Sequence, residues 1–514
     1  MFKYPLALFI LLVAFKSITA QTTAVYSKNE YKQVFTPDLE SLSAVNKQPE
    51  WFKDAKLGIY FHWGLYSVPA FKSEWYAKWM HVKTDKDWAS GTYEYHSSTF
   101  GDPSVFGYHH FKDLFKAEHY NPKQWVKLFK QAGAKFTGPV VQHHDGFAMW
   151  KSSVNPNNAF IEGPKKDLAG MFLQEAKKQN LKTIATFHHA LTMPIPNKDS
   201  NVLEGYYPYN KAYFTSTNDE KLKWMYGNVP KNLYLPYWEN LVYEVVDLYQ
   251  PDMIWFDSGS RRIPTQHLLN VFAHHFNAAA AREAEVVVFT KEKDRLEHIR
   301  VLDQEQGGLK DMPKDYWMTD ITLSEKGWCY IQNQTYKPKS LLIRNMIDVW
   351  SKRGIVLLNV SPTASGKINK PQQSILKALG KWMDIYGEAI YDTRSHTVYG
   401  YGDAVHQTGS HAEQSATIQY SANDIRFTTS KDQNYIYVFL LGQPKSGETL
   451  SIHHVLHNMP NKNIVSVSQL GSTRPVLWEY NNTLKIKAPK PTRANAIATV
   501  FKVELTNVTT AIAN

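Results

Sequence analysis

Two hydrophobic patterns alternate along residues 51–361. Short, almost continuous apolar runs predict buried β-strands, and longer stretches with apolar residues every three or four positions predict amphipathic helices. The runs occupy residues 57–63, 136–144, 182–189, 251–257, 285–290, 298–305, 316–322 and 354–360. Strands that alternate with helices in this way favour an α/β fold, a (β/α)8 TIM-like barrel, over an open doubly wound sheet.

The helical pattern is clearest in a few segments between and after these strands. It covers residues 121–134, 169–180, 237–250, 265–284 and 371–387, and the last of these leads out of the barrel. Pro122 stands in the first turn of the first segment, where a missing N–H group costs little. No glycine-rich GxGxxG loop follows any predicted strand, so the sequence argues against a dinucleotide-binding site.

After about residue 388 the pattern changes to short alternating stretches separated by turn residues. These stretches cover residues 416–421, 424–430, 434–442, 449–455, 463–470, 483–488 and 496–505. Short strands without long helices between them predict an antiparallel β-sandwich. We therefore expect a catalytic barrel over residues 21–388 and a C-terminal sandwich over residues 389–514.

The N-terminus has the features of a secretory signal peptide. Lys3 precedes an apolar stretch over residues 6–15, and Ala20 supplies the small residue that a signal peptidase prefers. A membrane-spanning helix needs about 20 apolar residues, more than this stretch provides. We expect residues 1–20 to be removed and the mature chain to begin near Gln21. The protein should then be periplasmic or extracellular, without a membrane anchor.

Composition narrows the choice of partners. The net charge of +11 falls to +9 when Lys3 and Lys16 leave with the signal peptide, and the remaining basic residues are dispersed. We therefore expect no nucleic-acid partner. Excess positive charge favours encounter with anionic polysaccharide fragments, although it serves solubility equally well. Cys329 is the only cysteine of the sequence, so the folded state must depend on its hydrophobic core and not on a disulfide.

Polar side chains collect at the ends of the predicted strands. In a barrel the catalytic residues come from the carboxyl ends of the strands, whereas the strands themselves are normally apolar. The strand ends carry His62, His143, His144, His188, His189, Asp257, Lys291, Asp303, Glu305 and Asn359. One such histidine is often only a buried polar group, but this many on one face predict an active site. The set suggests a carbohydrate-cleaving barrel, with Asp257 as the leading nucleophile candidate.

Metal binding is the main alternative for the histidines. His143 and His144 are neighbours, however, and on a strand they would point to opposite faces, where they could not easily share one ion. No HExxH or CxxC motif accompanies them. Neutral imidazole offers one hydrogen-bond donor and one acceptor, which suits sugar hydroxyl groups. We therefore expect no metal and no other cofactor.

Several segments resemble the retaining α-L-fucosidases of glycoside hydrolase family 29. They cover residues 51–64, 73–80, 143–152, 237–259, 351–368, 387–394 and 425–442, and the combination of HHDGF with IWFD is the most specific. The resemblance thus spans both expected domains. It implies an exo-acting enzyme that releases terminal L-fucose from fucosylated oligosaccharides or polysaccharides, and the positive charge leaves sulfated ones open as substrates. The implied reaction is a double displacement that retains the anomeric configuration.

The resemblance also implies roles for individual residues. Asp257 matches the nucleophile that forms a covalent fucosyl-enzyme, and Trp255 matches an aromatic residue beside it. The residues that match those holding the sugar hydroxyls are His62, Glu74, Trp75, His143 and His144, and His188 stands where the family often has a tyrosine. Retention requires a second carboxyl group, about 5–5.5 Å from the nucleophile, to protonate the leaving oxygen.

That second carboxyl group is where the chain departs from the family. Many members carry a Trp-Glu pair whose glutamate is the acid/base, and the matching pair here is Trp317-Met318. Methionine cannot transfer a proton. Another group within the family places its acid/base on an earlier strand, which selects Glu305 in the DQEQGG segment. Asp303, Asp320 and Glu292 remain alternatives.

Two further departures fall at the site. The arginine that is usual near the end of the fifth strand is replaced, with Lys291 nearby, and Gln142 replaces a lysine before HHDGF. A lysine lacks the two-pronged geometry of a guanidinium group, so the sugar contacts must differ. Two alternative functions stay open. One is a related retaining α-L-galactosidase, and the other is a fucose-binding protein without activity, which Met318 favours.

Overall fold

The computed structural model describes residues 26–193, 195–196, 203–204, 207, 219–291, 296–411, 418–490 and 496–507. Its largest sheet consists of parallel strands and confirms the predicted barrel. They are β1 (Leu57–Phe61), β2 (Phe136–Gln142), β3 (Lys182–Phe187), β4 (Met253–Phe256), β5 (Val287–Thr290), β6 (Val301–Leu302), β7 (Trp317–Thr322) and β8 (Gly354–Val360). The strand order is β6-β5-β4-β3-β2-β1-β8-β7, and a parallel bridge between Asp303 and Met318 closes the ring.

Helices surround this ring. They are α1 (Leu39–Ser43), α2 (Glu50–Ala55), α3 (Tyr76–Trp79), α4 (Thr92–Thr99), α5 (Phe111–Leu114), α6 (Pro122–Gln131), α7 (Leu168–Lys178), α8 (Glu220–Met225), α9 (Lys231–Tyr249), α10 (Thr265–Ala280), α11 (Lys339–Ser351) and α12 (Lys370–Tyr386). Short 3-10 helices cover Leu65–Ser67, Tyr108–His110, His189–Thr192, Ser260–Arg262 and Gly387–Ala389, and Ile195–Pro196 pairs with Leu203–Glu204.

Of these helices, α6, α7, α9, α10 and α12 fall on the segments with the predicted helical pattern. Within the described part of the chain, every helix is too short or too polar to traverse a lipid bilayer. The predicted signal peptide at residues 1–20 lies outside the described residues.

Alternation along the strands fills the barrel interior. On β4, Met253 and Trp255 point inward to the barrel core, whereas Ile254 and Phe256 pack against the helices. Met318 of β7 is completely buried in the same interior. The packing is so close that a Cβ atom on Gly138 would lie 1.6 Å from the carbonyl oxygen of Ile184. A filled interior leaves the ends of the strands as the place for a site.

The C-terminal part is a two-layered β-structure, as predicted. Its strands are β9 (Thr393–Tyr401), β10 (Ile425–Ser430), β11 (Tyr435–Leu440), β12 (Thr449–Ile452), β13 (Lys462–Gln469), β14 (Trp478–Asn481), β15 (Thr483–Lys487) and β16 (Thr499–Asn507). One sheet has the order β9-β10-β11-β16-β13 and the other β12-β15-β14, and all neighbours run antiparallel. The domain limits at residue 388 stay a prediction.

Individual strands of the sandwich differ from the expectation. β9 and β14 lie outside the predicted strands, and β14 pairs with β15 across a tight turn in which Asn482 adopts a φ of 57°. The strand expected at residues 416–421 is absent from its described part, residues 418–421. There the Asp424 carboxylate accepts hydrogen bonds from the backbone N–H and the hydroxyl of Ser421, which favours a turn over a strand.

The barrel and the sandwich meet at a buried cluster of charges. Asp348 of α11 binds Arg426 at 2.5 Å and Lys352 at 2.9 Å, and His406 Nε2 lies 3.5 Å from the same carboxylate. Burial alone would raise the pKa of Asp348, but Arg426 and Lys352 hold it well below its usual value. Because a buried charge is tolerated only when it is paired, this cluster couples the two parts of the chain.

Candidate active site

A polar cavity opens at the carboxyl ends of the barrel strands and encloses about 350 Å³ of empty space, its mouth included. It is lined by His62, Glu74, Trp75, His143, His144, His188, Asp257, Ser258, Lys291, Glu305, Asp320 and Trp328. These residues follow β1 to β6, lie on β7, or belong to the loops after β1 and β7. The structure thus brings the strand-end side chains to one place, as expected for a barrel active site.

Asp257 lies at the base of this cavity, directly after β4. Its backbone N–H donates to the carbonyl of Phe187 at 3.0 Å, which fixes the residue against β3. One carboxylate oxygen lies 2.6 Å from Lys291 Nζ, and the other lies 3.3 Å from ring nitrogens of both His144 and His188. Burial would raise the pKa of Asp257, but Lys291 and His188 hold it well below its usual value. Asp257 is therefore ionised, as a nucleophile must be.

Lys291 binds three carboxylates at once. Its ammonium nitrogen lies 2.6 Å from Asp257, 3.0 Å from Glu305 and 3.3 Å from Asp320. Burial would lower the pKa of Lys291, but these negative groups hold it well above its usual value. Since the oxygens of Asp257 and Glu305 bind the same nitrogen, they lie less than about 6 Å apart. Retaining glycosidases place their carboxyl groups about 5–5.5 Å apart and inverting ones about 6.5–9.5 Å.

The remaining carboxyl groups differ in charge. Burial would raise the pKa of Glu305, but Lys291 and a hydrogen bond with His411 lower it to about 2. Burial raises the pKa of Asp320 to about 6, and Lys291 offsets only part of this effect. Burial and the nearby Asp320 raise the pKa of Asp303 well above its usual value. Asp320 accepts a hydrogen bond from the Tyr60 hydroxyl at 3.0 Å. Asp303 and Asp320 therefore hold a proton more strongly than Glu305 does.

Three of the histidines that line the cavity are neutral. Burial lowers the pKa values of His62, His143 and His188, so these rings are uncharged at neutral pH. His62 Nδ1 lies 2.8 Å from the side-chain oxygen of Asn359, whose amide nitrogen donates to the Trp328 carbonyl at 2.6 Å. His62 Nδ1 therefore carries the hydrogen, and Nε2 is left as an acceptor. This arrangement suits the hydroxyl groups of a sugar.

The expectation that His143 and His144 point to opposite faces is wrong. β2 ends at Gln142, so strand alternation no longer applies, and both rings line the cavity with centroids 4.4 Å apart. Two sets of ligand atoms lie within 4.8 Å of one another, one from His62, His143 and His188 and one from His144, His188 and Asp257. In the second set Lys291 already binds Asp257 at 2.6 Å, so a divalent cation would face an ammonium group. Hydroxyl recognition suits this set better.

Every residue to which the family resemblance assigned a role, except Trp255, lines the cavity, whereas the strand-end residues Asp303 and Asn359 do not. Trp255 points into the barrel interior, where its ring centroid lies 5.2 Å from that of His188 and 4.9 Å from Lys291 Nζ. It supports the site from below instead of contacting the cavity. His189 also stays outside, stacked on Trp238 with centroids 5.3 Å apart. Glu292 lies outside the described residues.

The sequence interpretation missed two neighbours of the site. Trp328 lines the cavity, with its ring centroid 5.5 Å from that of His62, and its backbone N–H donates to Glu74 at 2.9 Å. An aromatic residue soon after a strand end was a usable signal. His411 Nε2 lies 3.4 Å from Glu305 but comes from the C-terminal part. No local pattern could have placed it there.

Comparison with known proteins identifies the family of this chain. A model of the family described as alpha-L-fucosidase matches residues 22–388. The chain belongs to the α-L-fucosidase family. The tissue α-L-fucosidase of Mus musculus is 30% identical over 70% of this chain and 75% of its own, and that of Bos taurus is 30% identical over 87% and 85%.

Solved structures of α-L-fucosidases share this fold. The crystal structure of Thermotoga maritima α-fucosidase in complex with fucose is 27% identical. It superimposes with a TM-score of 0.68 and covers 91% of this chain and 100% of its own. The resemblance stated from the sequence is thus confirmed, and the protein is an α-L-fucosidase, a glycoside hydrolase.

We predict that Lys291→Met moves the acidic limb of the kcat/KM profile upward by about one to three pH units. Without the ammonium group the pKa of Asp257 rises, so the nucleophile is protonated at a higher pH. Activity should therefore fall further at pH 4–5 than at pH 7. The profile of an aryl fucoside measures this, with the more exposed Lys182→Met as a control. An acidic limb that stays in place would contradict the role given to Lys291.

Proposed function

We propose that this α-L-fucosidase works by a retaining double displacement on terminal fucose, with Asp257 as nucleophile and Glu305 as acid/base. The observation that carries the proposal is the shared ammonium group. Lys291 binds Asp257 at 2.6 Å and Glu305 at 3.0 Å, so the two bound oxygens are less than about 6 Å apart. Retaining enzymes place their carboxyl groups about 5–5.5 Å apart, whereas inverting enzymes need about 6.5–9.5 Å.

An exo-acting mode fits the shape and chemistry of the cavity. Its volume of about 350 Å³ includes the mouth, and neutral histidines together with Trp75 and Trp328 line one part of it. Tryptophan rings offer rigid apolar surface for the methyl-bearing face of a deoxy sugar, and imidazoles pair with its hydroxyls. A small pocket of this kind, open at one end, is suited to one terminal sugar unit. The Thermotoga maritima relative holds fucose in its crystal structure.

The reaction would run in two steps. In the first, an oxygen of Asp257 attacks the anomeric carbon, the glycosidic bond breaks, and Glu305 gives its proton to the departing oxygen. In the second, Glu305 takes a proton from water, the water oxygen attacks the anomeric carbon, and the bond to Asp257 breaks. Once Asp257 is esterified its charge is lost, so Lys291 and His411 are left to stabilise the Glu305 carboxylate that acts as the base.

The first step requires a protonated Glu305, although Lys291 and His411 lower its pKa to about 2 in the empty cavity. A bound sugar must therefore weaken these contacts before the proton can be held there. Asp320, with its pKa of about 6, is the carboxyl group that already carries a proton at mildly acidic pH. It is the second candidate for the acid. Its side chain is only 1% exposed, however, against 16% for Glu305, so Glu305 is nearer to the leaving group.

Asp257→Gly should lower kcat for an aryl fucoside on the order of 10⁴-fold or more, because no other carboxylate can form the glycosyl-enzyme. Added azide should restore part of the rate by attacking the anomeric carbon from the vacated space. Thermal unfolding at the temperature of the parent would show that the fold is kept. Substantial turnover by Asp257→Gly without azide would rule out this nucleophile.

Glu305→Gln should lower kcat/KM for an unactivated fucosyl disaccharide by about 10²–10⁴-fold. The same variant should nearly retain kcat/KM for an aryl fucoside, since that leaving group needs little protonation. Asp320→Asn and Asp303→Asn are measured in the same way. If one of these shows the selective loss and Glu305→Gln does not, the acid role belongs to that residue.

We also propose that the substrate is a fucosylated oligosaccharide or polysaccharide, and the net charge of +9 that remains without Lys3 and Lys16 would favour sulfated ones. The N-terminal apolar segment supports export to the periplasm or the extracellular space. Protein recovered from its native host should then begin near Gln21, as measured by N-terminal sequencing. An N-terminus at Met1 would contradict export by signal cleavage.

A further inference from the structure

The loop that carries Glu305 is held by a segment from the C-terminal part of the chain. This segment, Thr408–His411, lies between β9 and β10 and runs beside the loop that follows β6. The backbone N–H of His411 donates to the carbonyl of Glu305 at 2.7 Å, and the N–H of Glu305 donates to the Ser410 hydroxyl at 3.2 Å. Both backbone groups of Glu305 are thus bound by neighbouring residues of the segment.

The contact continues along the loop beyond Glu305. The N–H of Gly409 donates to the carbonyl of Gly308 at 3.2 Å, and the N–H of Lys310 donates to the Thr408 hydroxyl at 3.0 Å. The two backbones approach so closely that a Cβ atom on Gly307 would lie 2.2 Å from the carbonyl oxygen of Gly409. The close approach of this segment therefore explains why the DQEQGG motif has glycine, without a side chain, at Gly307.

A side-chain contact adds to this backbone pairing. His411 Nε2 lies 3.4 Å from Glu305 Oε2, and Lys291 Nζ lies 3.0 Å from the same oxygen. The hydrogen bond with Glu305 raises the pKa of His411, although burial opposes it. One carboxylate oxygen of Glu305 is thus held from two sides, by a barrel residue and by a residue of the C-terminal part. Holding it restricts rotation of the carboxyl group.

The segment is itself anchored. His406, just before it, is completely buried and lies 2.6 Å from the Tyr420 hydroxyl and 3.5 Å from Asp348. A Cβ atom on Gly308 would lie 2.9 Å from His406 Cβ, so the loop packs on this anchor as well. The charge cluster around Asp348 therefore holds His406, and through it the beginning of the segment that carries His411.

We propose that His411 is a positioning residue for the acid/base, so that the C-terminal part of the chain takes part in proton transfer to the leaving group. The proposal rests on the assignment of Glu305 as acid/base in the proposed function. His411 orients the Glu305 carboxyl group for proton transfer and stabilises the ionised form that acts as the base in the second step, whereas Ser410 holds the backbone of Glu305. Neither Ser410 nor His411 lines the cavity itself, so neither is expected to alter binding of the sugar.

The test compares two substrates, one whose leaving group must be protonated and one whose leaving group needs little protonation. His411→Ala should lower kcat/KM for an unactivated fucosyl disaccharide by about tenfold, a fraction of the full acid/base effect. For an aryl fucoside kcat/KM should change less than about twofold, and inhibition by free fucose should be unchanged. His411→Gln, which keeps a hydrogen-bond donor, should recover part of the loss. His298→Ala, an exposed histidine elsewhere on the barrel, serves as the control.

A double-variant cycle separates this proposal from the proposed function. If His411 acts through Glu305, adding His411→Ala to Glu305→Gln should cause no further loss on the disaccharide. A full additional loss in that background, or an equal loss on both substrates in the single variant, would overturn the positioning role and leave Glu305 as the acid/base. If Glu305→Gln alone keeps its activity on the disaccharide, the acid/base assignment fails instead.

Ser410→Ala provides a second, independent variant. It removes the hydroxyl that accepts from the Glu305 N–H at 3.2 Å and leaves the imidazole in place. A smaller loss with the same preference for the disaccharide supports the positioning role. Wild-type kcat/KM on the disaccharide in both Ser410→Ala and His411→Ala would overturn it.

Discussion

The Lys291 ammonium group is the charge on which the active site depends. Three carboxylates lie within 3.3 Å of it in a nearly closed cavity, where ionised groups without a partner would not be stable. Its positive charge keeps Asp257 ionised and draws Glu305 close to it. Since Asp303 and Asp320 retain a proton more strongly, the cluster avoids the repulsion of four negative charges. One side chain thus sets the charge states of Asp257 and Glu305 and affects that of Asp320.

The cavity combines charged and neutral side chains. Lys291 and the carboxylates are its charged groups, whereas the neutral rings of His62, His143 and His188 can form hydrogen bonds with hydroxyl groups. The histidines stay neutral because they are buried, and one of them, His62, has its hydrogen position fixed by Asn359. Substrate recognition therefore need not compete with the charges that perform the reaction.

The sequence predicted the barrel because its signals are local. Apolar runs ending in a polar residue located all eight strands, and the carboxyl ends of parallel strands must share one face. From the same rule, the sequence alone predicted that His62, Asp257 and Glu305 lie at one site. The strand alternation rule failed at His143 and His144 because the strand ends one residue earlier, at Gln142. Strand ends are the least predictable part of an element.

Other features of the site depend on distant parts of the chain. The sequence located Lys291 at a strand end, but its three simultaneous contacts follow only from the closed ring. Trp255 could not be assigned to the interior without knowing which face of β4 points inward. The contact of His411 with Glu305 joins residues of the two parts of the fold, so no periodicity or motif reports it.

The buried cluster of Asp348, Lys352, His406 and Arg426 limits how domains can be exchanged between related enzymes. The matched family region ends at residue 388, which invites the view that the barrel is a self-sufficient module. Cutting the chain there would leave Asp348 with only Lys352 of its three neighbours in the cluster and would remove the anchor of the Glu305 loop. A sandwich taken from a relative would need to supply both features. Exchange of the sandwich alone is therefore expected to disturb the active site of the barrel.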